Sequence, residues 1–146
     1  MKVADILKTK SFALFTATPD TELQTAVDLM AEKDMGSLVV LENGFLVGML
    51  TFREINKSLS FTRGTITGTL VRDVMDAAPL ILTSETDVNE TRQQMLDRHA
   101  RYVPIMDNGT LMGVVSFYDV AKAMLQAQQL ENQMLKAYIR DWPAEN

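Results

Sequence analysis

Two short elements of this sequence set a hydroxyl three residues ahead of a carboxylate, each just after a glycine-containing apolar run. They are Gly48-Met49-Leu50-Thr51-Phe52-Arg53-Glu54 and Gly113-Val114-Val115-Ser116-Phe117-Tyr118-Asp119. An ionised carboxylate only accepts hydrogen bonds, so Asp119 can take one from each of two neighbouring hydroxyls on a sugar. A helix beginning at Ser116 would aim its unpaired N–H groups and the positive end of its dipole at an anion such as phosphate. Glycine at position 113 lets another group come close to the strand. The same spacing is also that of plain helix capping, in which Thr51 or Ser116 accepts from the N3 amide and the N3 acid reaches back to the cap. Capping boxes prefer Glu or Gln at N3, which suits Glu54.

Composition narrows the remaining chemistry. The chain has no cysteine, which excludes disulfides, thiolate nucleophiles, Cys-ligated zinc and iron–sulfur clusters. With His99 as its only histidine, a His-rich metal site is excluded as well. A length of 146 residues, 47% hydrophobic and 23% charged, fits one compact domain or two small packed halves rather than a disordered chain. The net charge of −5 argues against nucleic-acid binding by phosphate neutralisation, although a local basic pocket is compatible with it. Charges within Met1 to Lys8 fall where a signal peptide needs an apolar run. No apolar run approaches the ~20 residues of a membrane span. These features predict a cytoplasmic protein with no membrane segment.

The elements that must position these residues come in two copies. Asn43-Gly44 and Asn108-Gly109 lie 65 positions apart, and the same shift aligns Thr21 with Thr86, Met30 with Met95, Gly48 with Gly113 and Phe52 with Phe117 without a gap. Each copy starts with an apolar stub, Phe12 to Phe15 or Leu80 to Leu82. A helix follows. Thr21-x-x-Gln24 has capping-box spacing, and Leu23, Ala26, Val27 and Met30 then fall on one helical face, as Val88, Thr91, Met95 and Leu96 do less cleanly. Apolar runs on both sides of each Asn-Gly pair predict tight hairpins, whose two central residues need positive φ. A second helix is expected from Thr51 and from Ser116.

The predicted unit is β-α-β-β-α, which at about 60 residues buries too little surface to be stable alone. Two copies should therefore pack about an approximate two-fold axis, leaving related clefts where hairpin ends and second-helix starts converge. The expected divisions are a first repeat over 1–57, a polar linker over 58–69, a second repeat over 70–125 and a C-terminal helix and tail over 126–146. Beyond Val120, the residues Met124, Ala127, Leu130, Met134 and Ala137/Tyr138 recur at spacings of three and four. They predict a helix of about 30 Å, longer than one repeat needs. Its apolar seam suits either a partner or its own repeat, and Trp142 with Pro143 is expected to end it.

With these residues in view, the chain resembles a tandem pair of cystathionine-beta-synthase (CBS) domains, a Bateman module. The resemblance covers nearly the whole chain. It rests on Gly36-Ser37-Leu38-Val39-Val40 followed by Gly48 to Glu54, and on Arg101-Tyr102-Val103-Pro104-Ile105 followed by Gly113 to Asp119. The segment Leu130 to Ile139 looks like the ending of stand-alone bacterial two-repeat members. The implied fold is α+β, two repeats packed about a pseudo-two-fold axis with a long C-terminal helix. The implied function is a non-catalytic regulatory sensor, a homodimer binding AMP, ADP, ATP, S-adenosylmethionine or NAD between the repeats, with no metal or covalent cofactor. An effector protein, not identifiable from the sequence, would receive the signal.

The resemblance also assigns roles residue by residue. Asp119 stands where the family's aspartate holds the ribose, with Ser116 at the phosphate. Glu54 departs from that pattern, and its extra methylene carries its oxygens about 1.5 Å further out, enough to spoil a two-point contact. The second-repeat cleft is thus expected to be competent, and the first empty, weak or altered in preference. Arg101 would meet phosphate, Tyr102 and Val103 would line the base pocket, and Leu80 or Ile81 would form the wall on the first strand. Pro104, as an edge or bulge proline, would free backbone groups for a base. In repeat one the matching positions are Thr16, Ser37 and Leu38, with Thr51 at the phosphate. The apolar members among these also read as ordinary core.

Arg53, Arg63, Arg98 and Lys122 are further candidate phosphate partners, although such side chains are more often solvated surface charges, and Arg101 is the favoured one. His99 reads as a helix-end residue or a pH-dependent cation. A structural dimerisation module with degenerate clefts is the alternative, which Phe52 and Glu54 support. Ser116, Asp119 and His99 are nominal elements of an enzyme, but no nucleophile elbow or phosphate loop accompanies them.

Overall fold

The computed structural model describes residues 1–10 and 14–142. Its first half runs α1 (Val3–Thr9), β1 (Thr16–Ala17), α2 (Leu23–Glu32), β2 (Ser37–Glu42), β3 (Phe45–Thr51) and α3 (Phe52–Thr62). The second runs α4 (Val71–Val74), α5 (Val88–Arg98), β4 (Tyr102–Asp107), β5 (Thr110–Ser116) and α6 (Phe117–Arg140). The architecture is the expected α+β one. Glu42 pairs with Phe45 and Asp107 with Thr110, so each hairpin turns on two residues. Both residues of each turn are left-handed, with φ of 52° and 83° at Asn43-Gly44 and 50° and 79° at Asn108-Gly109. Asn and Gly tolerate that conformation better than other residues, which is why the pair fixes the hairpin register. A bulge follows Val40 in one hairpin and Ile105 in the other, the same position in both repeats.

The first strands differ from expectation. β1 runs parallel to β2 as Thr16–Ala17; of the expected stub, Leu14 and Phe15 precede the strand, while Phe12 and Ala13 lie outside the described residues. Leu80 to Leu82 forms no strand and contributes a single parallel bridge from Leu82 to Ile105. The first sheet is therefore three-stranded and the second two-stranded.

Each core is completed by a helix that precedes the other repeat. Val3 and Ile6 of α1 lie in the second core with Leu82, Val88, Met95, Val103, Val115 and Val120. Val71 of α4 lies in the first with Leu23, Ala26, Leu38, Val40 and Leu50. Backbone bonds seal both exchanges: the Val3 amide donates to the Thr86 carbonyl at 2.9 Å, and the Val71 amide to Thr21 at 2.8 Å. The two leading segments are themselves alike. In one the Lys2 amide donates to Asp5 at 2.8 Å, and in the other Leu70 donates to Asp73 at 2.9 Å.

This exchange also sets the helix starts. The Leu23 amide is taken by the Thr69 carbonyl at 2.8 Å, so α2 begins after Glu22 and the expected Thr21–Gln24 box does not form. The Thr21 hydroxyl instead accepts from the Thr18 amide at 3.0 Å, while Gln24 donates to Asp28 at 2.8 Å. Asp87 caps α5 by accepting from Asn89 at 2.8 Å. Leu96, placed by periodicity on the buried face of that helix, is exposed. The predicted 58–69 linker is not slack, since α3 continues through Thr62 and both Ser58 and Ile66 are buried.

At 24 residues, α6 is about 36 Å long. Val120 is buried, and Phe117, Ala123 and Met124 pack on the second core. Beyond them Leu125, Leu130, Met134, Leu135, Tyr138 and Ile139 are exposed. Trp142 follows the helix end and meets Tyr138 edge-on at 5.1 Å, while Pro143 lies outside the described residues. Among the described residues no helix is long and apolar enough to cross a membrane.

Ile6→Ala is expected to cost about 2–5 kcal/mol through the cavity it leaves. Hydrogen exchange should then quicken in β4 and β5 ahead of β2 and β3. Loosening of the first sheet instead would show that α1 does not belong to the second core.

Candidate functional site

The start of α6 opens on a cleft of about 710 Å³. Ser116, Phe117 and Tyr118 form one side, and Phe15, Met35, Gly36, Ser37 and Val39 of the first repeat form the other. Lys10, Lys33 and Arg101 bring positive charge to the rim, against one acid, Asp34. A second cleft of about 580 Å³ lies at the start of α3. Thr51, Phe52, Arg53 and Glu54 face Leu80, Arg98, His99, Arg101 and Tyr102 across it. The 65-residue shift converts one set into the other, with Ser116 for Thr51, Phe117 for Phe52, Phe15 for Leu80 and Ser37 for Tyr102. Each cleft therefore takes its helix start from one repeat and its facing wall from the other.

This corrects the grouping drawn from the sequence. Ser37 lies with Ser116 rather than with Thr51, and Leu80 lies with Thr51 and Glu54 rather than with Ser116. Arg101 and Tyr102 line both clefts. The physical reason is the pseudo-two-fold packing, which turns each helix start toward the partner repeat's strands.

Strand alternation sorts the remaining expected residues. Ser37 and Val39 face the α6 cleft, so Leu38 and Val40 point into the first core. Likewise Tyr102 faces the clefts while Val103 is fully buried in the second core. Leu38 and Val103 are core residues rather than walls. Pro104 is buried too, and its carbonyl, far from being free, accepts from the Leu82 amide at 3.2 Å. Thr16 and Ile81 are exposed and line neither cleft. Lys10, Phe15, Lys33, Met35, Gly36 and Val39 are lining residues that sequence reading missed. Phe15 was legible as the repeat partner of Leu80, and Val39 from alternation with Ser37.

Both hydroxyl–acid pairs are working helix caps. Ser116 Oγ accepts from the Asp119 amide at 3.0 Å, and Asp119 Oδ2 accepts from the Ser116 amide at 2.9 Å. In α3, Glu54 Oε1 accepts from the Thr51 amide and hydroxyl, each at 2.8 Å. The two acids differ in what else they hold. Lys10 Nζ donates to Asp119 Oδ2 at 2.6 Å and to the Val114 carbonyl at 2.8 Å. Among the described residues Glu54 makes no ion pair. The Asp119 side chain is 16% exposed, and burial by itself pushes its carboxyl up. The Lys10 ammonium and the Ser116 amide outweigh that and hold it below the usual carboxylate range.

The candidate cations separate in the same way. Arg53 donates to the His99 carbonyl at 2.5 Å and Arg98 to the Ala78 carbonyl at 3.3 Å, both beside the α3 cleft. Arg63 caps the C-terminal end of α3 with a left-handed φ of 60°. Lys122 is exposed and lines neither cleft. His99 ends α5, also left-handed. Gly36 lies close against Tyr102, whose side chain would have to shift to admit a Cβ there. Among the described residues no three acidic or histidine side chains converge as a metal site requires.

A family model for the CBS domain matches residues 3–60 and 71–126. The CBS domain-containing protein CBSX3, mitochondrial, of Arabidopsis thaliana is 30% identical over 94% of this chain and 71% of its own length. A putative signal-transduction protein with CBS domains from Burkholderia ambifaria superposes with a TM-score of 0.82 at 27% identity, over 88% of this chain and 96% of that one. CBSX2 of Arabidopsis thaliana, solved in complex with AMP, shares the fold with a TM-score of 0.71 at 24% identity, over 86% and 97% of the two chains.

The depressed Asp119 carboxyl makes a prediction about pH. Its contribution to stability is complete above the unfolded carboxyl value of roughly 3.9, and is lost as pH falls through the lower folded value. Urea melts of the chain and of Asp119→Asn should differ by a constant amount from pH 7 to 5 and converge below about pH 4. A gap that persists unchanged into that acid range would show that ionised Asp119 adds nothing.

Proposed function

This chain belongs to the CBS-domain family, and from that premise we propose that it is a non-catalytic regulatory module of the cytoplasm. It binds an adenosine-containing ligand between its repeats. The observation that carries this reading is the α6 cleft, where a helix N-terminus, the Ser116 hydroxyl and three cationic side chains converge; one of those cations, Lys10, pairs with Asp119, which stands just outside the lining. On a chain of net charge −5, such a local positive region concentrates anions. The AMP complex of CBSX2 supports adenosine as the base and sugar. Binding would change the angle between the repeats only as far as the two arrangements hold the ligand differently, and a partner protein would receive that change.

The α6 cleft is the tighter site in this reading, because Asp119 is short enough to present two oxygens to a sugar. Ligand at 100 times its dissociation constant adds about 2.7 kcal/mol per site, or roughly 5 to 11 °C for this length. A thermal-shift panel of AMP, ADP, ATP, S-adenosylmethionine and NAD should therefore contain a clear responder. Asp119→Ala should weaken that responder by about 10-fold or more, and Glu54→Ala by less. Equal losses would remove the asymmetry. Flat responses across the panel, repeated by calorimetry, would favour a dimerisation module with degenerate clefts.

We further propose a homodimer with α6 in its seam. Met134 is 65% exposed, Tyr138 59% and Ile139 65%, on a stretch of helix that joins neither hydrophobic core among the described residues. Apolar faces of this kind mark interaction surfaces. Light scattering should give twice the chain mass, and Met134→Glu with Tyr138→Glu should give the monomer with its thermal response to nucleotide retained. A monomeric parent chain would overturn the dimer.

A further inference from the structure

Lys10 follows the last residue of α1, and its ammonium enters the α6 cleft only because Val3 and Ile6 anchor that helix in the second core. There it bridges Asp119 Oδ2 at 2.6 Å and the Val114 carbonyl at 2.8 Å. Oδ2 thus holds both Lys10 and the Ser116 amide, while Oδ1 takes no hydrogen bond from the described residues. The acid that would hold a sugar is already paired with a cation, and that cation also lines the place where a phosphate would sit. No equivalent pairing exists at Glu54 among the described residues.

Resting on the reading of this cleft as an adenosine site, we propose that Lys10 is its specificity-determining residue: it admits adenosine compounds that carry phosphate and rejects uncharged or cationic ones. A phosphate beside the start of α6 offers the ammonium a replacement anion, so Lys10 can transfer to it while the Asp119 carboxylate turns to the sugar hydroxyls. Charge pairing is kept throughout. Neutral adenosine brings no such anion. To reach Asp119 it must leave Lys10, whose side chain is 31% exposed, short of its partner. A sulfonium ligand adds repulsion from Lys10, Lys33 and Arg101. The selectivity comes from the difference between these exchanges, since interactions made equally with every ligand discriminate nothing.

Calorimetry of the full chain with adenosine, AMP and S-adenosylmethionine tests this against Lys10→Met and Lys10→Arg, each first shown by its melt to be folded. The chain should prefer AMP over adenosine by roughly 10-fold or more, the scale of a charge-assisted contact. Lys10→Met should collapse that ratio, with AMP weakened and adenosine strengthened, and Lys10→Arg should keep it. An unchanged ratio in Lys10→Met, with both ligands still bound, overturns the role of Lys10 alone. Absence of binding by the chain and both variants overturns the functional reading of the cleft, and this proposal with it.

Discussion

Neither repeat can close its own hydrophobic core, and the helix that closes each one is supplied from the segment ahead of the other. Val3 and Ile6 complete the second core, and Val71 completes the first. Units of this size are marginal because so much of their surface stays wet, so borrowing an apolar wedge from the neighbour makes two weak units one stable body. The backbone bonds from Val3 to Thr86 and from Val71 to Thr21 fix that exchange in register. Everything at the clefts depends on the resulting orientation.

From that orientation comes the composite character of both sites. A helix start alone offers unpaired amides and a dipole, and a strand edge alone offers a wall. Only when the second-helix start of one repeat faces the strands of the other do they enclose a space. Strand alternation then decides which side chains are seen, giving Ser37 and Val39 to the cleft and Leu38 and Val40 to the core. The repeats share their hairpins and second-helix caps and are unequal in charge. One acid, Asp119, is bridged to a lysine, and the other, Glu54, is occupied by its own cap.

Much of this was legible from residue types and spacing. The repeat, the two Asn-Gly hairpins, the caps at Thr51 and Ser116 and the long final helix all rest on interactions between residues a few positions apart. Two departures occurred where a distant segment competed for the same group. Thr69 took the Leu23 amide and displaced the helix start expected at Thr21. The Leu82 amide donates to the carbonyl of Pro104, beside which backbone groups were expected to be free for a base. Leu38 and Val103 were assigned to a wall although alternation with Ser37 and Tyr102 already put them on the core face. The pairing of Ser37 with Ser116 could not be read along the chain, because it follows from how two similar units pack.

The sequence by itself determined the local grammar: which stretches turn, where the helix after each hairpin is capped and that the unit occurs twice. Those features follow from φ preferences and short-range hydrogen bonds, which act over a few residues whatever the rest of the chain does. Tertiary structure decided the exchange of leading helices, the mixed parentage of each cleft and the presence of Lys10 on Asp119, 109 positions away. No periodicity encodes such a contact. It exists because burying Val3 and Ile6 in the opposite repeat carries the end of their helix to the place where that carboxylate stands.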